Sequence, residues 1–380
     1  MMVPKLRFKN YNRIEEKKII NFAPLQRGYD LPVSQIEDGD YPVVFSNGIL
    51  KKHSKYKVKG PGIVTGRSGT IGKVTYVQGN FWPHNTSLFV TDFFDNIPKY
   101  VYYYYQHIDF SKFSTGSGVP TLNRNDLHSL TVLVPAIEEQ TKIADFLFSV
   151  DEKITLLNKQ YDLLCQYKKG MMQKIFSQKL RFKDDNGKPF HKWSTLQLKD
   201  VAIRVTRKNK ENNNTILTIS GRDGLVDQMT YFNKQIASKN VTGYYLIRKG
   251  EFAYNKSYSQ GYPMGAIKML SSYEKGVVST LYICFKLNDE QSCDFYQHYF
   301  ESGLQNRAIE KVAQEGARNH GLLNIGVNDF FDIELQVPGL AEQNKIAHFL
   351  SAIEDKIAIK RAELNMLKNW KQGLLQQMFV

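Results

Sequence analysis

The chain contains one long segment twice, and this repeat constrains the fold more than any other feature. Residues 134–177 (VPAIEEQTKIADFLFSVDEKITLLNKQYDLLCQYKKGMMQKIFS) return as residues 337–380, at a constant offset of 203 positions and without a gap. Of the 44 aligned positions, 16 are identical, among them Val-Pro, Glu-Gln, Lys-Ile-Ala, Phe-Leu and one glycine. A match of this length and regularity indicates an internal duplication.

Both copies have the periodicity of a helix. Their apolar residues step by three and four, which predicts long helices that pack along another helix. Pro135 and Pro338 stand just ahead of the periodic stretch, with acidic residues in the first turn, as a helix start allows. The residues assigned to helix–helix packing are Leu147, Val150, Ile154, Leu157 and Leu164 in the first copy and Leu350, Ile353, Ile357, Leu364 and Leu367 in the second.

A single amphipathic helix would be explained by packing on its own domain. Two copies with the same apolar stripe each provide the other with a matching partner, so we favour an intramolecular two-helix coiled coil. Lys168 and Lys371 interrupt both stripes near the repeated glycines. We therefore expect the regular pairing to stop or bend there.

The repeat also divides the chain. The pentapeptide KLRFK occurs at 5–9 and again at 179–183, directly after the first repeated segment. Each half of the chain thus begins alike and ends alike, while the segments between differ. We assign a first domain to 1–134, a first long helix to 135–178, a second domain to 179–337 and a second long helix to 338–380.

The composition favours a polyanionic partner. The formal net charge is +14 over 380 residues, most of it outside the two repeated segments, and nucleic acid is the simplest such partner. No run approaches the ~18 apolar residues of a membrane span, so we expect no membrane association. Cys165, Cys284 and Cys293 have no metal-type spacing, and we interpret them as reduced thiols of a cytoplasmic protein.

The first domain alternates strand-like runs with turn residues, at 41–45, 62–65, 73–77 and 87–90, before a helix at 98–107. Within it, GIVTGRSGTIGKVTYVQGNFWPHNTSLFV exposes backbone through glycines and carries residue types that bind phosphates or base edges. The alternative is a tight glycine hairpin with a solvated arginine. The candidate DNA ligands here are Arg67, Ser68, Thr70, Lys73, His84 and Asn85.

The same stretch imitates a nucleotide-binding phosphate loop. Five residues separate Gly66 from Gly72 where four are required, and Val74 stands where a magnesium-binding Ser or Thr belongs. We therefore expect no ATP site. Further along, STGSGVPTLNRNDL adds Ser117 and Arg124 as candidate backbone ligands, although this segment is equally well explained as a connection.

The second domain carries GEFAYNKSYSQGYPMGAIKML at 250–270, whose Asn, Lys and Tyr side chains are typical base-edge and backbone ligands. The alternative is that its tyrosines belong to the core. The polar stretch 204–214 is more simply a solvated loop than a phosphate contact. The candidate DNA ligands here are Asn255, Lys256, Tyr258, Tyr262 and Lys268, followed by Arg318, Asn319 and His320 in a glycine-bounded turn.

No catalytic constellation is found. The sequence lacks the Pro-Pro of an amino-methyltransferase motif, and the five histidines considered have no metal-binding spacing. The acidic groups at 151–153 and 354–356 lie in the predicted helices, where solvated charges explain them better than a nuclease site. We therefore expect neither a catalytic residue nor a bound metal or cofactor.

The paired VP…EQ-x-KIA-x-FL helices, the KLRF starts, the RSGTIGKV loop and the FAYNKS…GYPMGAIK and GARNHGLLNI stretches resemble the specificity subunit of bacterial type I restriction-modification systems. The resemblance covers nearly the whole chain. It implies an α+β fold in which two mixed α/β target recognition domains are separated by two long conserved helices. Those helices would form an intramolecular antiparallel coiled coil with pseudo-twofold symmetry.

The resemblance further implies a cytoplasmic, non-catalytic protein that reads a bipartite double-stranded DNA site. It implies docking of two methylation subunits, and of restriction subunits in the full complex, with S-adenosylmethionine and ATP bound by those partners. The sequence leaves two other classes open. A coiled-coil scaffold would bind DNA weakly and without preference, and an RNA-binding adaptor would stack bases on aromatic residues, for which the tyrosines at 102–105 are only a faint signal.

Overall fold

The computed structural model describes residues 4–9, 11, 13–115, 120–221, 223–232, 241–313 and 323–379. Its contacts divide the chain into two compact units. Unit 1 comprises Met1–Gln160 with Lys360–Val380, and unit 2 comprises Tyr161–Ile359. This division differs from the linear boundaries drawn from the sequence, because each unit takes part of both repeated segments.

Unit 1 combines short strands with few helices, and the first repeated segment begins within it. Its strands are β1 (Ile14–Lys18), β2 (Leu25–Arg27), β3 (Tyr41–Phe45), β4 (Gly48–His53), β5 (Gly62–Gly66), β6 (Val74–Val77), β7 (Trp82–Pro83), β8 (Ser87–Val90), β9 (Ser114–Thr115), β10 (Thr121–Leu122) and β11 (Thr131–Pro135). Its helices are α1 (Ile19–Phe22), α2 (Pro98–His107), α3 (Arg124–His128) and the start of α4 (Ile137–Phe176), with 3₁₀ turns at Val33–Gln35 and Phe110–Phe113.

Unit 2 has a similar mixture of elements. Its strands are β12 (Ser194–Gln197), β13 (Ala202–Val205), β14 (Leu217–Ser220), β15 (Gly224–Asp227), β16 (Tyr245–Arg248), β17 (Phe252–Asn255), β18 (Ala266–Met269), β19 (Lys275–Val278), β20 (Ile283–Leu287) and β21 (Glu334–Val337). Its helices are α5 (Leu198–Val201), α6 (Gln228–Phe232), α7 (Cys293–Ser302), α8 (Asn306–Val312), α9 (Val327–Phe331) and the start of α10 (Leu340–Met378).

The two units contain the same four-stranded sheet. In unit 1 the strand order is β2-β8-β5-β6, and in unit 2 it is β13-β20-β17-β18. In unit 1 an antiparallel hairpin is formed by β5 and β6, and in unit 2 by β17 and β18. The last strand in the chain, β8 or β20, lies between that hairpin and the first strand, β2 or β13. The segments between the repeats differ in sequence but share this topology.

Each domain is tied to the start of its long helix by a repeated ion pair. Glu139, in the first turn of α4, is 0% exposed and accepts hydrogen bonds from the guanidinium of Arg7. Glu342, at the matching position of α10, is 1% exposed and accepts from Arg181 at 2.6 and 3.1 Å. The arginine of each KLRFK segment therefore pairs with the glutamate of each Glu-Gln motif. Such pairing is what permits a buried carboxylate.

The glutamine of each motif satisfies other backbone groups. Gln140 accepts a hydrogen bond from the N–H of Ile97, the residue before α2, and donates to the carbonyl of Pro135. Gln343 likewise accepts from the N–H of Ser292, before α7, and donates to the carbonyl of Pro338. These contacts give a structural role to the repeated glutamine and the repeated proline in both copies.

The KLRFK segments also attach to helix ends in the same way. The N–H of Leu6 donates to the carbonyl of Gln377 near the end of α10 at 2.9 Å, within unit 1. The N–H of Leu180 donates to the carbonyl of Lys174 near the end of α4 at 3.0 Å, within unit 2. Lys174 and Gln377 are themselves a repeat pair.

The two lysines that interrupt the apolar stripes do not end the helices. In unit 1 Lys371 pairs with Asp151 at 2.6 Å, and in unit 2 Lys168 pairs with Glu354. Both contacts join α4 to α10 at equivalent positions of the repeat, and α4 and α10 continue through them as single helices of 40 and 39 residues. Neither helix therefore ends at its lysine, and Asp151 and Glu354 are paired rather than simply solvated. The expected change in the regular pairing stays a prediction.

The residues assigned to helix–helix packing are all buried or partly buried. Leu147, Val150, Leu157, Leu350, Ile353 and Leu364 are at most 6% exposed, and Ile154, Leu164, Ile357 and Leu367 are intermediate. An early part of α4 shares unit 1 with the end of α10, and a late part of α4 shares unit 2 with the start of α10. Helices that meet in this order run antiparallel.

The predicted fold class is confirmed. The structure has two mixed α/β domains and two long helices that contact each other. The predicted helix at 98–107 and the predicted strands of the first domain are also present, with ends that shift by one residue at most.

Candidate nucleic-acid interface

Arg67 stands where the central hairpin of the unit 1 sheet opens into its loop. It directly follows β5, its N–H donates to the carbonyl of Thr86 at 2.9 Å, and its carbonyl accepts from the N–H of Leu122 at 2.8 Å. These two bonds fix its backbone to β10 and to the segment before β8. The side chain is free of ion pairs among the described residues.

Arg67 lines a concave cavity of about 610 Å³, together with Arg27 and Arg124. Arg124 also has no ion pair within the described part of the chain, while Arg27 pairs weakly with exposed Asp30 at 3.6 Å. Guanidinium groups carry several donors in a planar fork, which suits phosphate and the guanine edge. The cavity thus gathers unsatisfied donors and positive charge.

His128 attaches α3 to β2, and both of these elements contribute arginines to the cavity. Its Nε2 accepts the N–H of Leu25 at the start of β2 at 2.9 Å, and its pKa is lowered by burial and by the nearby charge of Arg124. A neutral imidazole is the form that accepts this bond. The short helix α3 is thereby fixed to the strand that leads to Arg27.

Several cavity residues were not predicted from the sequence. Gln26, Arg27 and Tyr29 lie on β2 and the turn after it, and Asn123 precedes α3. Gly28 is required in that turn because a Cβ there would lie 2.2 Å from the carbonyl oxygen of His84. The QRGYD run contains a glycine between polar residues, which is typical of a turn, but its distance in sequence from the main loop gives no sign that the two lie together.

The other predicted ligands of unit 1 are used differently. The backbone of Ser68 is bridged to Thr121, Thr70 is exposed at the loop, and the exposed Lys73 donates to the carbonyl of Asn47. His84 is engaged through Nδ1 with Thr86 at 3.0 Å and through Nε2 with the carbonyl of Leu31 at 3.2 Å.

His84 and Asn85 have internal partners, and their assignment as DNA ligands stays a prediction. Both ring nitrogens of His84 are engaged, its ring is tilted against that of Phe45 with centroids 4.4 Å apart, and burial lowers the pKa of the imidazole. Asn85 donates its side-chain amide to Asp30. The sequence pattern could not distinguish these internal contacts from ligands, because the same side chains serve both purposes.

Lys256 is the unit 2 counterpart of Arg67. It directly follows β17, the strand equivalent to β5, and its carbonyl accepts the N–H of Leu323 at 3.1 Å, as that of Arg67 accepts Leu122. Its ammonium donates to the carbonyl of Ile325 at 3.4 Å. Asn255 accepts the N–H of Ser257 and donates to the hydroxyl of Tyr282 at 3.5 Å.

The loop between β17 and β18 folds back on itself. Ser259 and Tyr262 form a small antiparallel bridge, with the N–H of Tyr262 donating to the carbonyl of Ser259 at 2.8 Å. Gly261 adopts a left-handed φ of 86° in the turn between them. Such a conformation favours glycine. Tyr258, Ser259 and Gln260 are exposed at this tip.

Tyr262 and Lys268 hold this loop in place rather than facing solvent. Lys268 is 8% exposed, donates to the hydroxyl of Tyr262 at 2.8 Å and pairs with Glu301 of α7. The Tyr262 hydroxyl donates to the carbonyl of Gly221 at 2.7 Å and contacts Glu301 at 2.8 Å. Burial and the Glu301 carboxylate raise the pKa of the phenol. Both residues therefore have internal partners, and their assignment as DNA ligands stays a prediction.

Four predicted ligands, Ser117, Arg318, Asn319 and His320, lie outside the described residues. Among the residues that are described, no cluster of His, Cys, Asp and Glu is arranged to hold a metal ion. No helix in the described ranges is long and apolar enough to cross a membrane.

These features define a class of protein with a duplicated helical frame and two differing, partly basic recognition surfaces. The model of the type I restriction modification DNA specificity domain matches residues 12–166 and again residues 164–369. The chain therefore belongs to the type I restriction-modification specificity subunit family.

Two relatives agree with this assignment. The putative type I restriction enzyme MjaX specificity subunit of Methanocaldococcus jannaschii is 26% identical over 336 residues, which cover 80% of this chain and 73% of the relative. The MjaVIII specificity subunit of the same organism is 33% identical over 92 residues, or 23% of this chain and 22% of that relative.

The fold is also similar to that of solved proteins. The type I restriction-modification system S subunit from M. genitalium superposes with a TM-score of 0.63 at 17% identity, over 100% of this chain and 99% of that one. A chain from a study of complex assembly and conformational transition of the type I R-M system gives a TM-score of 0.52 at 11% identity, covering 96% and 97%.

Proposed function

We propose that this protein is the DNA sequence-recognition subunit of a type I restriction-modification complex and that each unit reads one half of a bipartite double-stranded site. One observation carries the proposal. The same sheet occurs in both units and presents a cationic residue, Arg67 or Lys256, at the same strand end with the same backbone bond. A repeated frame with different surroundings suits two readers of two different sequences.

The surroundings support different readouts. In unit 1, Arg67, Arg124 and Arg27 share a cavity, and arginine forks bind guanine or phosphate in two contacts at once. In unit 2, Lys256 is a point charge next to the amide of Asn255 and an exposed loop tip. Phosphate contacts would position the protein, and contacts to base edges would specify the sequence.

We further propose that the long helices dock two methylation subunits. Each helix keeps a second apolar stripe exposed, at positions that match between the two copies. The six side chains are 48–70% exposed and form three repeat pairs, Leu156 with Ile359, Leu163 with Met366 and Tyr167 with Trp370. Two equal stripes suit two copies of one helical partner.

Docking can be tested with Leu163→Asp and Met366→Asp, separately and together. Each single substitution should weaken binding of one methylation subunit, and the double variant should lose both. Ile20→Asp, at a side chain that is 46% exposed on short helix α1, is the control. Full binding by the double variant, measured by light scattering of the mixed subunits, would contradict docking on this stripe.

The helices are also proposed to set the spacer between the half-sites. Insertion of seven residues after both Leu157 and Lys360 preserves the heptad pattern and lengthens each helix by ~10 Å, or roughly three base pairs. The methylated site should keep both half-sequences while its spacer grows. A fixed spacer with altered half-sequences would show that the helices do not act as the ruler.

We infer that the protein has no catalysis of its own and works in the cytoplasm. S-adenosylmethionine is then bound by the methylation subunits and ATP by the restriction subunits of the full complex. The purified chain should therefore transfer no methyl group, cleave no DNA and hydrolyse no ATP.

The decisive experiment is single-molecule sequencing of genomic methylation in a host that expresses the chain with its methylation subunit. One bipartite sequence should be methylated, and it should disappear when the chain is omitted. Methylation that has no bipartite sequence, or that persists without the chain, would refute the proposal.

A further inference from the structure

The hairpin loop between β17 and β18 presents a side chain that the sequence analysis passed over. Gln260 is exposed and occupies the turn of the bridge between Ser259 and Tyr262, next to left-handed Gly261. Its amide has both donor and acceptor groups and makes no hydrogen bond to another described residue. A glutamine amide can pair with the N6 and N7 edge of adenine in the major groove.

We propose that Gln260 is a specificity-determining residue of unit 2, held in position by Tyr262, Lys268 and Glu301. This inference rests on the proposed function of the unit as a DNA reader. It assigns the reading role to the loop tip, and the residues behind it support the tip without touching DNA.

The support comes from three directions. The Tyr262 hydroxyl joins the loop to the carbonyl of Gly221, in the turn between β14 and β15, at 2.7 Å. Glu301 joins it to α7, and Lys268 joins it to β18 at 2.8 Å. The ring of Tyr262 also lies close to Gly221, where an added Cβ would be 2.8 Å from its Cε2 atom. The loop is thereby attached to three separate elements.

A second set of contacts fixes the base of the loop. The hydroxyl of Tyr254 donates to the carbonyl of Met264 at 2.9 Å, and the N–H of Gly265 donates to the carbonyl of Tyr262 at 3.2 Å. Gly265 has a φ of 75° and leaves no space for a Cβ, which would lie 2.3 Å from the carbonyl oxygen of Asn255. Because the loop is ordered before DNA arrives, binding does not have to supply that ordering free energy.

The burial of Lys268 and its pairing with Glu301 indicate that these two residues position Tyr262 and the loop tip. Lys268 is buried while Glu301 stays partly exposed, and a charge removed from water gains little net stability compared with an apolar residue of similar volume. Their geometry, however, fixes where the phenol of Tyr262 and the loop tip lie. Lys268 and Glu301 thus contribute more to fixing the conformation of the loop than to the free energy of folding.

The test is the genomic methylation pattern of a host that expresses each variant with its methylation subunit. Gln260→Ala should relax one base position of the second half-site, by roughly 5- to 150-fold in discrimination, and leave the first half-site unchanged. The control is Ser272→Ala, an exposed residue in the turn at the other end of β18. Unchanged specificity in Gln260→Ala would overturn the assignment.

Tyr262→Phe and the charge-free pair Lys268→Met with Glu301→Leu test the positioning residues. Both should relax the same base position as Gln260→Ala while the purified protein keeps its melting temperature within a few degrees. A lower melting temperature with an unchanged methylated sequence would show a merely structural role and overturn the positioning part. If the unmodified chain directs no bipartite methylation, the proposed function fails. If it does and Gln260→Ala reads the same site, only this inference fails.

Discussion

The loops after Arg67 in unit 1 and after Lys256 in unit 2 occupy the same place in the same sheet, yet they are built in opposite ways. The first leaves Arg67 and Arg124 without ion pairs to any described residue, around an open cavity. The second is attached to neighbouring elements through Tyr262, Lys268 and Glu301. A duplicated frame therefore fixes where the two loops lie but not how their side chains are held.

The frame itself also differs between the units at one point. Glu342 accepts the indole N–H of Trp193 at 3.2 Å in addition to Arg181, whereas strand pairing places Ile14, which has no side-chain donor, at the equivalent position of unit 1. Both glutamates are buried, but only one has a second type of donor. Because of this difference, loss of the arginine should destabilise the two units by different amounts.

The largest expected effect is loss of the buried ion pair. Arg7→Ala leaves the Glu139 carboxylate buried without its partner and should destabilise unit 1 by about 3–5 kcal/mol. Arg181→Ala should cost about 1 kcal/mol less in unit 2, because Trp193 still donates to Glu342. Hydrogen exchange at the β1–β11 and β12–β21 pairs measures the two units separately.

The control for this comparison is Arg13→Ala, which removes an arginine that is largely exposed and should cost no more than about 0.5 kcal/mol. Equal losses for Arg7→Ala and Arg181→Ala would show that Trp193 adds nothing to the second pair.

A smaller effect is expected at the two cationic residues. Arg67→Ala should reduce discrimination at one base position of the first half-site by about 1–3 kcal/mol, and Lys256→Ala should affect only the second half-site. Methylation sequencing of both variants provides the measurement. Arg67→Lys separates base from phosphate contact, because a lysine keeps the charge but not the planar fork.

Arg67 contacts phosphate rather than a base if Arg67→Lys keeps the original specificity. The same conclusion follows if Arg67→Ala weakens binding to all sequences and makes the salt dependence of binding shallower. An effect of either substitution on the other half-site would contradict independent reading by the two units.

The smallest expected effect concerns pH. His298 of α7 is 1% exposed, contacts Ser351 through Nε2 at 3.1 Å and faces Glu354 through Nδ1 at 3.9 Å, with Lys168, Asp294 and Glu301 nearby. The matching contact in unit 1 is made by Tyr103, which donates to Asp151 at 2.8 Å. Burial lowers the pKa of His298, and the neighbouring Lys168 lowers it further, against the opposing influence of Glu354.

Because the folded-state pKa of His298 lies below the unfolded value, its contribution to stability is present above about pH 6.5 and is lost as the pH falls. Unit 2 should therefore lose stability between pH 7 and pH 5 through this group, and His298→Tyr should remove that part of the pH dependence. Melting curves of the two proteins over this range test the expectation. If the melting temperatures of the two proteins change equally with pH, His298 does not titrate in this range.

The sequence predicted the frame well because the frame is periodic and duplicated. Heptad spacing locates buried positions such as Leu147 and Leu350 without any tertiary information, and the Glu-Gln motif identifies repeated structural residues. The partner of Lys168 could not be predicted, because a stripe pattern contains no information about acidic residues on another helix, such as Glu354.

The candidate interface was less predictable. Residue type alone suggested His84, Tyr262 and Lys268 as ligands, but the fold supplies each with internal partners. Arg27 was missed because 40 residues separate it from Arg67, and only strand pairing through β8 places both beside one cavity. Long-range pairing of this kind has no local signature in one sequence.

The bond from Leu6 to Gln377 has a consequence for the history of such a chain. Because it repeats the bond from Leu180 to Lys174, the polypeptide closes on itself at its ends much as it continues in its middle. Genetic exchange that reorders the halves, or that replaces one domain between its two helices, would leave every frame contact available. New combinations of the two domains are then reachable by recombination alone, without the many simultaneous point mutations that remodelling a surface requires.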